Sequence, residues 1–318
     1  MKEDKRRLLA KIAYLYYVED KTQAQIAKEL DIYRTSISRM LTQAKREGIV
    51  KIEIQNTDAE LLALENQFKN KYGLKYLEVL PNNPTISTAE QEELFAELAG
   101  SFVRKIIKND QTIGLSWGST LSRVIHHINK KTAKNLSIVP LAGAPSHTNS
   151  RFHVNTLVYE LAKKTQGHSV FINTTVIQET PQLANGILSS KYFGEIKNLW
   201  EKLDVAIVGI GGHLATTESQ WRDLLTLSDN RFLQAKEVVG DCCCRFFDKD
   251  GNVAKGELYE RTIGITLERL KEVPISVGIA YGEEKAQAIL ALLKQGALNT
   301  LITDQNTLLE MKALWELE

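Results

Sequence analysis

The 318-residue sequence predicts an α/β protein: a largely parallel, doubly wound sheet preceded by a small all-α unit. Three observations carry that expectation. From Lys75 onward, short β-branched runs alternate with amphipathic stretches of helix length, as in a parallel sheet covered on both faces. The first fifty residues instead hold three helical patterns in close succession. Charge divides at the same place, with residues 1–51 carrying +5 and the remainder −4. Because single cores tend to divide beyond roughly 250 to 300 residues, two domains are expected, 1–57 and 58–318. The composition, 43% hydrophobic and 25% charged, is that of a soluble globular protein. No apolar run approaches the ~18 residues of a membrane span, and the N-terminus lacks the apolar stretch of a secretory signal. A cytoplasmic protein with no membrane partner is expected.

The basic unit reads as a helix-turn-helix. Leu8, Leu9, Ile12, Ala13, Leu15 and Tyr16 recur at helical spacing and predict a first helix ending near Glu19. Thr22 is placed to cap a second helix that turns Ile26, Ala27 and Leu30 inward. After a break at Asp31 and Ile32, a third helix from about Arg34 to Glu47 buries Ile37, Met40, Leu41 and Ala44, and Gly48 stops it. Small Ala27 falls where two helices must approach, and Ile37, ten residues on, where the third packs back. The outer face of that helix carries Tyr33, Arg34, Thr35, Ser36, Ser38 and Arg39, forked cations and short hydrogen-bonding groups suited to base edges and phosphates. This face is expected to bind operator DNA. Gly48 to Asp58, with Ile49, Ile52 and Ile54 set among polar residues, predicts a short β-wing. Ala59 to Tyr72 predicts a linker helix whose stripe of Leu61, Leu62, Leu64 and Phe68 packs on the body or on a second subunit. Palindromic operators favour a homodimer or homotetramer.

In the body, "KYLEVL" and the turn "PNNP" precede a helix from about Thr88 to Ile107. "TIGLS" leads into a helix to His127; "SIVPL", a helix over Thr156 to Lys164, "SVFIN", a helix from Glu195 to Leu203 and "DVAIVGIGG" follow. "EVVGDCCCRFFDKDGN" predicts two short strands and an Asp-Gly-Asn turn. Then come "ISVGIAYG", a helix from Glu283 to Gln295, "NTLIT" and a last helix to about Trp315. Cys242, Cys243 and Cys244 fall in the first of those short strands, where neighbours point to opposite faces and cannot converge on one metal. They read as buried small residues of a reducing compartment; no metal or cofactor is expected.

Ligands of such sheets bind beyond the carboxyl ends of the strands. That rule selects the loops Ser116 to Thr120, Gly143 to Ser146, Gly209 to His213, Gly240 to Asp241 and Gly282 to Lys285. The first admits two chemistries. Gly114-x-Ser116-x-Gly118 has the spacing of a hydrolase nucleophile elbow, while Gly118, Ser119 and Thr120 opening a helix make an anion cradle of N–H and hydroxyl groups. An elbow needs a histidine late in the sheet, and all six histidines lie at or before His213. The cradle is the better reading, with Lys285 as a cation on the same sheet edge.

With these residues in place the chain resembles the SorC-type sugar-binding bacterial transcriptional regulators along nearly its whole length. The similarity rests most on Val273 to Thr307, where a strand, the Gly282 to Lys285 turn, an Ala-rich helix and "LITD" follow the family order, and on "TIGLSWGSTL" and "VVGDCCCRFFDKDGN". Tyr281, where the family usually has a second glycine, and Ala144, after Gly143 where a Gly-Gly pair is common, depart from it. The resemblance implies an effector domain of the sugar-phosphate isomerase and deaminase type, bound to a sugar phosphate. Gly114, Ser116, Trp117, Gly118, Ser119, Thr120, Gly143, Gly211, Gly212, His213, Asp241 and Lys285 are the expected effector-binding residues. The alternative is an isomerase or deaminase with an accessory helical domain. In such enzymes an acid precedes the Gly-His pair, but Gly209 to Gly212 contain none, so no catalytic residue is expected.

Overall fold

The computed structural model describes residues 2–51, 59–145, 150–214 and 224–317. It divides into two compact units, Met1–Ala59 and Glu60–Glu318.

The first unit is three helices: α1 (Lys2–Tyr17), α2 (Gln23–Leu30) and α3 (Arg34–Arg46). The hydroxyl of Thr22 accepts from the Gln25 N–H while the Gln25 side chain accepts from the Thr22 N–H, a capping box that fixes the start of α2. Asp31, at φ 52°, ends α2 in the left-handed region, and three residues lead into α3. Ile12, Leu15, Ile26, Ile37 and Leu41 form the core, with Leu9, Ala13 and Ala44 beside it. The expected wing does not begin at Gly48. Ile49 and Val50 both direct their N–H to the carbonyl of Ala44 and pack against Leu9 and Ala13, and from Ile52 to Asp58 the wing lies outside the described residues.

The second unit opens with α4 (Ala59–Tyr72), whose Leu61, Leu64 and Phe68 join the main core. Phe68 meets Trp315 edge to face at 5.4 Å, so the stripe packs on the body; Leu62, expected in that stripe, lies exposed on the other side. The strands β1 (Tyr76–Leu80), β2 (Thr112–Leu115), β3 (Ser137–Pro140), β4 (His168–Ser169), β5 (Val205–Gly209), β8 (Ile275–Ile279) and β9 (Thr300–Asp304) make one parallel sheet in the order β1-β9-β8-β5-β2-β3-β4. Between them run α5 (Thr88–Ile106), α6 (Ser119–His127), α7 (Val154–Thr165), α8 (Pro181–Leu188), α9 (Lys191–Trp200), α10 (Leu227–Ala235), α11 (Glu257–Arg261), α12 (Leu267–Glu272), α13 (Ala286–Gln295) and α14 (Gln305–Glu316). Connections through α5, α6 and α7 step one way along the sheet and those after β5 step the other; right-handed crossovers then put the two sets on opposite faces. β5, with Val205 to Val208 all buried, is covered on both sides, which is why it reads as an unbroken apolar run.

Four expectations change in the body; one is that the helix expected from Glu283 begins at Ala286, behind a single 3-10 turn over Glu283–Lys285. "SVFIN" contracts to the two-residue β4, with the Val170 N–H to the Ile138 carbonyl continuing the contact. The helix expected from Glu195 begins at Lys191, where Ser190 caps it. The cysteines are not one strand: β6 (Gly240–Cys242) and β7 (Arg245–Phe247) pair antiparallel, and Cys243 and Cys244, at φ 52° and 58°, are the two residues of a tight hairpin turn. A hydrogen bond with Cys243, together with burial, pushes the Cys242 thiol well above its ordinary range.

Candidate functional site

The strand order reverses between β2 and β5, and a crevice opens beyond their carboxyl ends, as parallel sheets require. Leaving β2, Ser116 is buried; its N–H donates to the Ile207 carbonyl and its hydroxyl accepts from the Gly209 N–H at 3.1 Å. That hydroxyl ties the two strand ends together, an occupation unlike that of a presented nucleophile. The Trp117 indole donates to the Gly143 carbonyl at 3.0 Å. Gly118 then turns at φ 134°, which residues with a Cβ rarely adopt, and a Cβ there would meet nothing within 4 Å. The backbone therefore faces open space.

α6 starts at Ser119 with no side-chain cap, as do α3, α11 and α13, whereas α5, α8, α9, α10, α12 and α14 are capped by Ser87, Thr180, Ser190, Thr226, Thr266 and Asp304. Its first N–H groups are left to the crevice, at the positive end of the helix dipole.

From β5, Gly211 pairs with Asp241 in both directions, at 2.9 and 3.1 Å. A Cβ on Gly211 would lie 2.1 Å from Asp241 Oδ1, so only glycine lets the buried carboxylate stand there. The Cys243–Cys244 turn and Ile279 complete the floor. Lys285, half-buried just before α13, lines the same crevice as the α6 start. Burial draws its ammonium below the ordinary lysine range, against the opposing pull of Glu284, Asp304 and Glu92. The cavity encloses about 160 Å³ and is open to solvent at its mouth, smaller than the ~300–1,000 Å³ of drug-sized sites.

Of the expected effector residues, the structure brings together Ser116, Trp117, Gly118, Ser119, Thr120, Gly211, Asp241 and Lys285. Four others do not line the cavity. Gly114 lies inside β2, where a Cβ would sit 2.3 Å from Leu141, and Gly143 supports Trp117 and presses on the Thr175 carbonyl. Gly212 is buried and His213 exposed, neither of them on the cavity wall. Ser146 lies outside the described residues. Sequence reasoning missed Leu121, Ile279, Cys243 and Cys244 as lining. The aliphatic pair carries no chemical signal, and the cysteines were misassigned to a strand. On α3, Tyr33, Arg34, Thr35, Ser38 and Arg39 are exposed and Ser36 is half-buried.

Comparison with known proteins fits this geometry. A family profile described as "Putative sugar-binding domain" matches residues 58–311. The sorbitol operon regulator of Klebsiella pneumoniae is 36% identical over 306 residues, covering 96% of this chain and 97% of that one. The chain belongs to the SorC family of sugar-binding transcriptional regulators.

Within the family, the full-length crystal structure of that Klebsiella regulator superposes with a TM-score of 0.76 over 97% of this chain and 99% of its own. A transcriptional regulator from Streptococcus pneumoniae, 43% identical, gives 0.78 over 82% of this chain and 99% of its own. The deoxyribonucleoside regulator of Bacillus subtilis is 27% identical over 96% of this chain and 97% of its own length. These relatives are regulators, and so is this chain; the isomerase or deaminase reading finds no support among them. Among the described residues, no helix is long and apolar enough to cross a membrane.

Proposed function

We propose that this regulator controls a sugar-catabolic operon from the cytoplasm as a homodimer or homotetramer. Residues 1–57 bind operator DNA, and the domain from residue 58 binds a phosphorylated sugar that governs that binding. On α3, Arg34 and Arg39 are the base readers, with Tyr33, Thr35, Ser36 and Ser38 positioning on bases and phosphates. The phosphate sits at the start of α6, on the N–H groups and hydroxyls of Ser119 and Thr120 with Gly118 beneath, and Lys285 supplies the opposing charge. Asp241 and the Gly211 backbone face the sugar.

The observation that carries this reading is the uncapped N-terminus of α6 lining one crevice with a half-buried lysine, where the strand order reverses. Helix dipole, donors and cation converge there on the position of an anion. A thermal-shift series tests it: sugar phosphates raise the melting temperature and their unphosphorylated sugars do so far less. A ligand at 100 times its dissociation constant adds roughly 2.7 kcal/mol to the domain. Thr120→Val removes one donor and selectively weakens the phosphates. Equal weakening of both ligand classes would refute the cradle.

A further inference from the structure

Position 281, where the family usually has a glycine, carries a tyrosine whose ring lies beside Lys285. The Lys285 ammonium is 5.4 Å from the ring centroid, within the ~6 Å at which a cation is drawn to an aromatic face. The carboxylates of Glu284, Asp304 and Glu92 act on that ammonium through space rather than in an ion pair. The ring is held from two sides. It packs on Phe95 of α5 at 4.8 Å between centroids, and the guanidinium of Arg123, on α6, donates to its hydroxyl at 3.1 Å. Arg123 is itself ion-paired with Glu92, so the α5 carboxylate is engaged by the guanidinium. Burial pushes the Tyr281 hydroxyl up to about 12, and the tyrosine stays neutral throughout the titration of a lysine that burial draws down.

We propose that Tyr281 is the positioning residue of the anion site, its ring holding the Lys285 ammonium at the crevice without neutralising it. This rests on the phosphate cradle proposed above. A lysine chain left to itself ranges over many rotamers, and ordering it as the anion arrives would weaken binding. A carboxylate partner would fix the ammonium but also cancel its charge, and the anion would have to displace that partner. A neutral ring fixes it through the ring quadrupole and leaves the charge for the anion. The Arg123 to Glu92 pair serves the same end, since it turns the α5 carboxylate to another cation and anchors the ring. The charged groups around Lys285 are Glu283, Glu284, Asp304, Glu92, Arg123 and, lining the first crevice, Asp241. Against burial, the ring adds to the pull of Glu284, Asp304 and Glu92. Removing it frees the ammonium and lowers the pH at which its charge is lost. The device is this chain's own, because a glycine at 281 has no ring to offer.

The test measures the dissociation constant of the full chain for inorganic phosphate across neutral and alkaline pH. Tyr281→Leu weakens phosphate at least threefold at neutral pH and moves the alkaline loss of binding to lower pH. Tyr281→Phe, which keeps the ring, stays near the wild type. In a Lys285→Met background Tyr281→Leu causes no further loss, because the charge that the ring places is gone. If Tyr281→Leu does not fold, Tyr281→Met, unbranched and able to fill irregular space, is measured in its place. The ligand-free chain gives a second readout, the pH dependence of trace acetylation of Lys285 followed by mass spectrometry. That profile moves to lower pH in Tyr281→Leu and stays in place in Tyr281→Phe. An equal loss of phosphate binding with and without Lys285, or an unmoved Lys285 profile, would overturn the positioning role and leave the cradle standing. Failure of both inorganic phosphate and a hexose 6-phosphate to bind the wild type would overturn the cradle and the role together.

Discussion

The two units place their functional groups in opposite ways. In the helical unit the proposed readers are side chains standing in solvent: Tyr33 is 86% exposed, and Arg34 and Arg39 are exposed on α3, while the core beneath is Ile12, Leu15, Ile26, Ile37 and Leu41 with a few neighbours. In the α/β unit the site is sunk at the sheet reversal and built largely from backbone: the Gly118 turn, the bare start of α6 and the Gly211 to Asp241 pairing. A surface of side chains tolerates exchange of its readers without loss of fold but depends on a small core. A site made of backbone is as firm as the sheet that holds it, and it fails where a side chain is added. The contrast predicts different sensitivities in the two units.

The largest effect is expected from Ile37→Ala. Deleting a fully buried side chain costs about 2–5 kcal/mol, comparable with the roughly 3–5 kcal/mol that so small a core supplies. DNA binding, followed by fluorescence anisotropy, should be lost while the thermal response to sugar phosphate survives. Loss of both would show that the two units do not fold independently. Next comes Gly211→Ala, which drives a methyl into Asp241 and should weaken the effector about a hundredfold, roughly 2.8 kcal/mol, in calorimetric titration without affecting DNA binding. Arg34→Ala and Arg39→Ala should each cost about 1–3 kcal/mol at the cognate operator and nothing in effector affinity.

The smallest effect concerns pH and belongs to the body alone. Asp229 is buried and would be raised by that burial, but bonds from Arg261 and the Thr226 cap hold its carboxyl below the ordinary 3.8. The depressed value contributes stability that is present above about pH 4 and lost as pH falls through the folded value. Asp229→Asn should flatten the acid limb of a melting-temperature profile; an unchanged slope would show that other carboxylates set it.

The same contrast governs what was legible in the sequence. The helix-turn-helix could be read because apolar spacing and exposed readers are properties of residue types: Thr22, Ile26, Ile37 and Gly48 all stand where their chemistry placed them. The order of strands and helices in the body was legible for the same reason, and the rule of strand carboxyl ends found the Ser116 loop, Asp241 and Lys285. Four helices escaped, α8 behind Thr180 and Pro181, α10 behind the Thr226 and Asp229 capping box, the short α11, and α12 behind the Thr266 cap, because none carries a long apolar stripe. The cysteine turn escaped because tight hairpins usually announce themselves with Asn or Gly, and here two cysteines take the left-handed conformation. Gly114, Gly143 and Gly211 looked alike in sequence. Only their neighbours, Leu141, Thr175 and Asp241, tell packing glycines from the one that lines the crevice.

The central claim is that an anion held between α6 and Lys285 governs the grip of the helical unit on DNA. It is tested most directly by titrating promoter DNA adjoining the chain's own gene with wild type and Lys285→Met, each with and without a saturating hexose 6-phosphate. Methionine keeps the apolar stem and removes the charge. The account predicts equal operator affinity for both proteins without effector, a shift of at least tenfold on adding it to the wild type, and no shift in the variant. A Lys285→Met protein that responds at the wild-type effector concentration would contradict it.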